Sequence, residues 1–120
     1  MTTALLIVDH GSLLPEANEM LEQVAELVRT RVPGLTVHIS HMELAEPSIQ
    51  TGFTACVSDG AENIIVHPYM LSPGRHATSD IPRIVSEVAV SFPEVSFSIT
   101  PPLGIHKNIG EVILERAGLI

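Results

Sequence analysis

Basic side chains are scarce in this chain, and aromatic ones scarcer. Six Lys and Arg stand against 14 Asp and Glu, a net charge of −8 with histidine neutral. There is no tryptophan, one tyrosine (Tyr69) and three phenylalanines (Phe53, Phe92 and Phe97). Nucleic-acid binding needs a basic stripe to neutralise phosphates. Single strands also need aromatic platforms for their bases. The chain offers neither, so no nucleic-acid partner is expected. Cys56 is the only cysteine, which rules out an intrachain disulfide and an iron–sulfur cluster held by this chain's thiolates alone. It reads as a buried helix residue in a reducing compartment. No apolar run approaches the length of a membrane span, so no membrane partner is expected. The first residues pass directly into a strand signal, with no basic leader, long apolar segment or cleavage signal. A cytoplasmic protein is the expectation; a plastid location would require a transit segment ahead of Met1.

What is present suits one ordinary folded domain over residues 1–120. The length is typical, and a hydrophobic content of 45% is near the globular average. Leu5 to Val8 form a continuous apolar run, as in a strand buried on both sides. A helix is expected from about Pro15 to Arg31, with Ala17, Leu21, Val24, Leu27 or Val28, and Val32 on its apolar face. Pro33-Gly34 stops it. A second strand runs from Leu35 to Ser40. A helix from about Pro47 follows, with Ile49, Phe53 and Val57 at buried spacing. Gly52 lowers its intrinsic stability.

The third strand spans Asn63 to His67. A long loop containing Pro73 and Gly74 leads to a helix over about 79–92, capped by Ser79 or Asp80 with Pro82 in its first turn. The fourth strand is Val95 to Thr100. A last helix starts near His106, carries Ile109, Val112, Ile113 and Leu114, and ends at Gly118. The predicted class is α/β: one three-layer domain with a mostly parallel four-stranded sheet in βαβαβαβα order. The last helix is unusually apolar for its length, which makes a homodimer the expected assembly.

Polar chemistry recurs where each strand ends. Asp9-His10-Gly11-Ser12 follows the first, His41-Met42-Glu43 the second, Gly74-Arg75-His76 the third and Gly104-Ile105-His106 the fourth. In a parallel sheet these points share one edge, where open α/β folds bind ligands. His10 could be a metal ligand, a proton acceptor or a group bonded only to its own turn. Asp9 could orient His10 or cap the next helix. His76 could hang over the sheet edge toward His10 or pack its loop. Arg75 suits a carboxylate or phosphate. Glu43 could face a cleft, serving a metal or a proton, or stay a solvated turn residue. Glu46 could interact with the amino end of the next helix. His41 and His106 are ambiguous, and His38 and His67 read as strand residues.

Several common chemistries have no signature here. There is no phosphate-binding glycine loop, dinucleotide fingerprint, CxxC pair or His-Glu-x-x-His helix. Ser12 lacks a nucleophile elbow. Histidine donors favour borderline transition metals over magnesium.

The stretches VDHGS (8–12), HMELAEPSI (41–49), PGRH (73–76), DIP (80–82) and PPLGIH (101–106) occur in order along the whole chain. Together they closely resemble the small type II chelatases of the sirohydrochlorin cobaltochelatase and ferrochelatase family, above all its siroheme-forming members. The resemblance implies insertion of Fe²⁺, Co²⁺ or Ni²⁺ into the tetrapyrrole sirohydrochlorin by a homodimer. It implies His10 and His76 as the catalytic, metal-handling pair, Glu43 as an acidic partner to metal or proton, and His106 as a histidine near the last strand's exit. Ser12 and Arg75 would meet substrate carboxylates. Met42, Met70 and Leu71 would meet the ring face or serve packing. No resident cofactor is implied. Plant-type members carry an iron–sulfur centre, which Cys56 alone cannot build. A non-catalytic metal or tetrapyrrole carrier would use the same cleft. A small hydrolase built on His10 and Ser12 would leave the later motifs without a purpose.

Overall fold

The computed structural model describes residues 2–120. Four strands, β1 (Thr3–Asp9), β2 (Thr36–His41), β3 (Asn63–Pro68) and β4 (Ser96–Ile99), alternate with helices α1 (Pro15–Arg31), α2 (Ile49–Ser58), α3 (Ile81–Ala89) and α4 (Lys107–Arg116). The sheet order is β2-β1-β3-β4, and every neighbouring pair is parallel. The chain leaves β1 toward one side for β2, then crosses to the other side for β3 and β4. The direction therefore reverses between β1 and β3, where a doubly wound sheet opens a crevice beyond its strand ends.

Strand alternation sorts the core into two halves. Ala4, Leu6 and Val8 of β1, with Ile64 and Val66 of β3, pack against Ile49, Phe53 and Cys56 of α2 and Ile81 and Val85 of α3. Ile7 and Val37 pack against Leu21 and Ala25 of α1 on the opposite face. Helices cover both faces, giving the expected three layers. Each fully buried large side chain contributes roughly 1.5–3 kcal/mol relative to exposure.

Helix boundaries depart from the sequence pattern in instructive ways. On α1 the buried positions are Leu21 and Ala25, and Val28 packs beside them. Leu27 is 72% exposed, one residue around the helix from that stripe. Helix α2 starts at Ile49 rather than Pro47, because Ser48 is its N-cap and accepts a hydrogen bond from the Thr51 amide at 3.2 Å. Gly52 is buried against the sheet. A Cβ there would lie 1.9 Å from Ser40 Oγ and 2.8 Å from Leu6 Cδ1. Close helix–sheet contact, not helix propensity, explains this glycine.

Neither Ser79 nor Asp80 caps α3. The backbone is already helical before them, in a π-helical segment (His76–Asp80) whose His76 carbonyl accepts from the Ile81 amide. Pro82 does sit in the first turn. Helix α4 forms as expected, yet it buries no residue. Val112, Ile113, Leu119 and Ile120 are 48–72% exposed.

Candidate functional site

His10 is the first residue beyond β1, and Gly11 turns the chain with a φ of +95°. A Cβ on Gly11 would fall 1.8 Å from the Glu43 carbonyl oxygen. Only glycine lets the β2–α2 loop lie this close to the β1 exit. Two backbone hydrogen bonds continue the parallel pairing past the strands: the Met42 amide donates to the Asp9 carbonyl at 2.9 Å, and the Glu43 amide to the His10 carbonyl at 3.2 Å. This juncture brings His10 Nε2 to 3.2 Å from Glu43 Oε1.

The β3–α3 loop supplies the second imidazole. The His10 and His76 ring centroids are 4.5 Å apart, with the planes tilted by 39°. His76 Nδ1 lies 2.8 Å from Asp80 Oδ2. In the neutral ring, an Nδ1–H that donates to this carboxylate leaves the Nε2 lone pair available to a ligand. The sequence pattern points to Asp80 as a helix cap, whereas in the structure its carboxylate faces His76. The four-residue His–Asp spacing on a helical stretch was the available signal. His10, Met70, Leu71, Ser72, Gly74, Arg75, His76 and Ala77 line a cleft of about 260 Å³. Its histidines are half exposed, and Arg75 places a cation at its wall.

Asp9 does not orient His10. Successive side chains on a strand point to opposite faces, so Asp9 faces the α1 side. There it meets His41, its direct partner in the β1–β2 ladder. The Asp9 Oδ1 to His41 Nδ1 distance is 2.6 Å, and the His41 side chain is only 2% exposed. His41 is therefore shut off from the cleft.

The remaining predicted residues are dispersed. Ser12 Oγ accepts from the Leu14 amide, while the Ser12 amide and carbonyl are both held by the Asn18 side chain. Met42 packs against the α2–α3 core and lines a separate hollow of about 350 Å³ with Ile49, Ile84 and Val88. His106 caps α4, its Nδ1 accepting from the Asn108 amide at 3.1 Å. The segment just before it is nearer the cleft: the Leu103 and Gly104 amides donate to the Met70 and Leu71 carbonyls. Glu46 accepts from the Ser48 amide and the Thr51 hydroxyl at the start of α2, as anticipated. His38 pairs with Asp59 at 2.6 Å. His67 bonds Thr100 Oγ1 at 2.8 Å, and burial lowers its pKa. Cys56 is buried in α2, and desolvation pushes its thiol up to about 12. Among the described residues, no three His, Cys, Asp or Glu side chains form a ready-made metal cage.

Fold and site together define a doubly wound α/β domain with an open histidine–carboxylate centre at its topological switch point. The chain belongs to the CbiX family, whose model matches residues 4–118. It is 42% identical over 112 residues to the chloroplastic sirohydrochlorin ferrochelatase of Arabidopsis thaliana, covering 93% of this chain and 50% of that protein. It is 43% identical over 138 residues to a sirohydrochlorin cobaltochelatase of Methanocaldococcus jannaschii, covering 95% of this chain and 96% of that one. The sirohydrochlorin chelatase SirB of Bacillus subtilis subspecies spizizenii, solved in complex with cobalt, superposes with a TM-score of 0.91 at 35% identity, covering 100% of this chain and 51% of that one. SirB of Bacillus subtilis with Fe³⁺ gives 0.89 at 36% identity, covering 97% and 46%. The chain thus spans about half the length of several relatives and nearly all of the archaeal one.

Proposed function

We propose that this chain inserts a divalent metal, Fe²⁺ or Co²⁺ and also Ni²⁺, into sirohydrochlorin. The observation that carries this reading is the contact of His10 with both His76 and Glu43 at the mouth of one cleft. The names of the relatives supply the substrate. The reaction exchanges two pyrrolic protons for the metal ion. A chelatase must strip water from the ion, hold it near the ring nitrogens and accept those protons.

His76 suits the first task, since Asp80 directs its Nε2 lone pair outward. His10 and Glu43 form a pair that can ligate the ion or take up a proton. Three groups that do not form a closed cage bind a metal weakly enough to surrender it, unlike a four-ligand structural site. Holding ion and macrocycle together lowers the entropic cost of their encounter. Arg75 offers bidentate hydrogen bonds to a substrate carboxylate, which offsets the repulsion expected from an acidic protein. Met70 and Leu71 give the macrocycle an apolar wall.

The protein acts as a cytoplasmic homodimer without a resident cofactor. Support for the dimer comes from the exposed apolar side chains of α4. The buried, weakly acidic Cys56 thiol is unsuited to ligating an iron–sulfur cluster. No helix among the described residues is long and apolar enough to cross a membrane.

The test is anaerobic metal insertion followed by the absorbance change of sirohydrochlorin, with each metal at matched free concentration. Turnover that depends on the protein and disappears in His10→Ala is expected. A rate no higher than the uncatalysed background, with the protein folded and the substrate intact, would overturn the reading in favour of a carrier.

A further inference from the structure

Among the described residues, Asp9 and His41 form a contact between ionisable groups, its histidine buried, that the proposed chemistry does not use. It lies at the last rung of the β1–β2 ladder, where Asp9 and His41 are direct partners. Neither side chain enters the cleft. Yet His10 is the residue after Asp9, and Glu43 is two residues after His41. The backbone between them is interlocked at the same point. The His41 amide donates to the Pro47 carbonyl at 2.8 Å, Met42 to Asp9, and Glu43 to His10.

A buried polar pair, charged or not, is a poor source of stability, because desolvation offsets much of the attraction. Apolar side chains of similar size would hold two strands together equally well. What a 2.6 Å hydrogen bond adds is direction. It tolerates neither a slip along the ladder nor a rotation of one strand end against the other. Strand exits are where such movement is easiest, since regular pairing ends there.

Resting on the reading of His10 and Glu43 as a working pair, we infer that Asp9 and His41 are positioning residues. Their bond locks the stagger of the β1 and β2 exits and so holds Glu43 Oε1 against His10 Nε2. Glu43 sits on a loop and is half exposed, and among the described residues His10 is the partner of its carboxylate. The lock supplies from behind the sheet the constraint that the loop lacks.

His41→Leu removes the donor, whereas His41→Asn keeps an N–H at the δ position. Each is made alone and together with Glu43→Gln. The His10 ring signal in the NMR spectrum of the metal-free protein reports its contact with Glu43. In the parent protein Glu43→Gln is expected to move that signal. In His41→Leu it is expected to leave the signal in place, because Glu43 has already moved away. His41→Asn should restore the parent response.

Insertion should follow the same pattern. His41→Leu should lower kcat on the order of 100-fold with KM for sirohydrochlorin unchanged, and adding Glu43→Gln should cost nothing more. A purely structural defect would instead leave the two effects multiplicative. If His41→Leu does not fold, Asp9→Ala breaks the pair from the less buried side and is expected to give the same decoupling. An equal His10 response to Glu43→Gln with and without the pair would overturn the lock, as would no response in either. Because the NMR comparison needs neither metal nor tetrapyrrole, absence of turnover in the parent would reject the chelatase reading alone.

Discussion

His76 sets one ring nitrogen against Asp80, and the proposed mechanism keeps the other for the metal. That division makes Asp80 a sensitive position even though it does not line the cleft. Asp80→Asn should weaken binding of Co²⁺ and slow insertion by about 10- to 100-fold while leaving the circular dichroism spectrum intact. A cobalt titration with initial rates checks it, and unchanged values would show that His76 needs no orienting partner. His10→Ala and His76→Ala should each abolish most insertion in folded protein; normal initial rates in either would remove the two-histidine mechanism. Gly11 is equally exacting for a different reason. Any side chain there collides with the Glu43 carbonyl, so Gly11→Ala should both destabilise the fold and displace Glu43. Denaturant unfolding and insertion rate, measured on the same preparation, should fall together. Position after a strand made His10, His76 and Glu43 candidates beside Ser12, His41 and His106, and the family resemblance singled out these three. The four-residue spacing from His76 to Asp80 is legible, although a cap is the simpler reading of that aspartate, whereas the Asp9–His41 pair is not legible, because its meaning lies in which face a side chain takes.

At the scale of elements, α2 is held closer to the sheet than an average helix residue would allow. Replacing an exposed helical glycine by alanine ordinarily stabilises by about 1 kcal/mol. At Gly52 the new methyl group would overlap Ser40 Oγ and press on Leu6. Gly52→Ala is therefore expected to destabilise by roughly 1–3 kcal/mol, read as a lower denaturant midpoint. A stabilised variant would mean that α2 can lift off the sheet without cost. The π-helical turn before α3 belongs to this scale too. Periodicity located the apolar stripe Ile81, Ile84, Val85 and Val88 but not the start of the helix, because the turn that carries His76 and Asp80 has few buried side chains to mark it. Met42 shows the same limit. Its sequence position left the ring face and packing both open, and alternation delivered it to the hollow between α2 and α3.

The whole molecule measures 50 × 31 × 26 Å along its principal axes, and α4 contributes exposed apolar surface rather than core. A 12.9 kDa chain that dimerises through this helix should sediment at twice its monomer mass. Ile113→Asp should shift it toward monomer, and an unchanged monomeric mass in the parent would discard the dimer. Stability should also depend on pH through His67. Burial holds its folded pKa below the usual value near 6.5, so the unfolded chain binds the proton more readily. That contribution is complete above about pH 6.5 and is lost as the pH falls toward the folded value. Thermal melts at about pH 7.5 and about pH 5.5 should show a larger acid-induced loss in the parent than in His67→Gln. Equal losses would show that His67 is not the residue responsible.

Composition and hydrophobic period alone determined the class of fold, the order of its elements and the edge of the sheet where chemistry collects. These are local properties, written in runs of Leu, Ile and Val and in the polar residues that end them. Tertiary structure alone decided which polar groups meet. His10 finds Glu43 and His76, whereas Asp9, its neighbour in sequence, turns to the opposite face and finds His41. Pairing across strands far apart in sequence depends on register and on face, and one residue of register changes both.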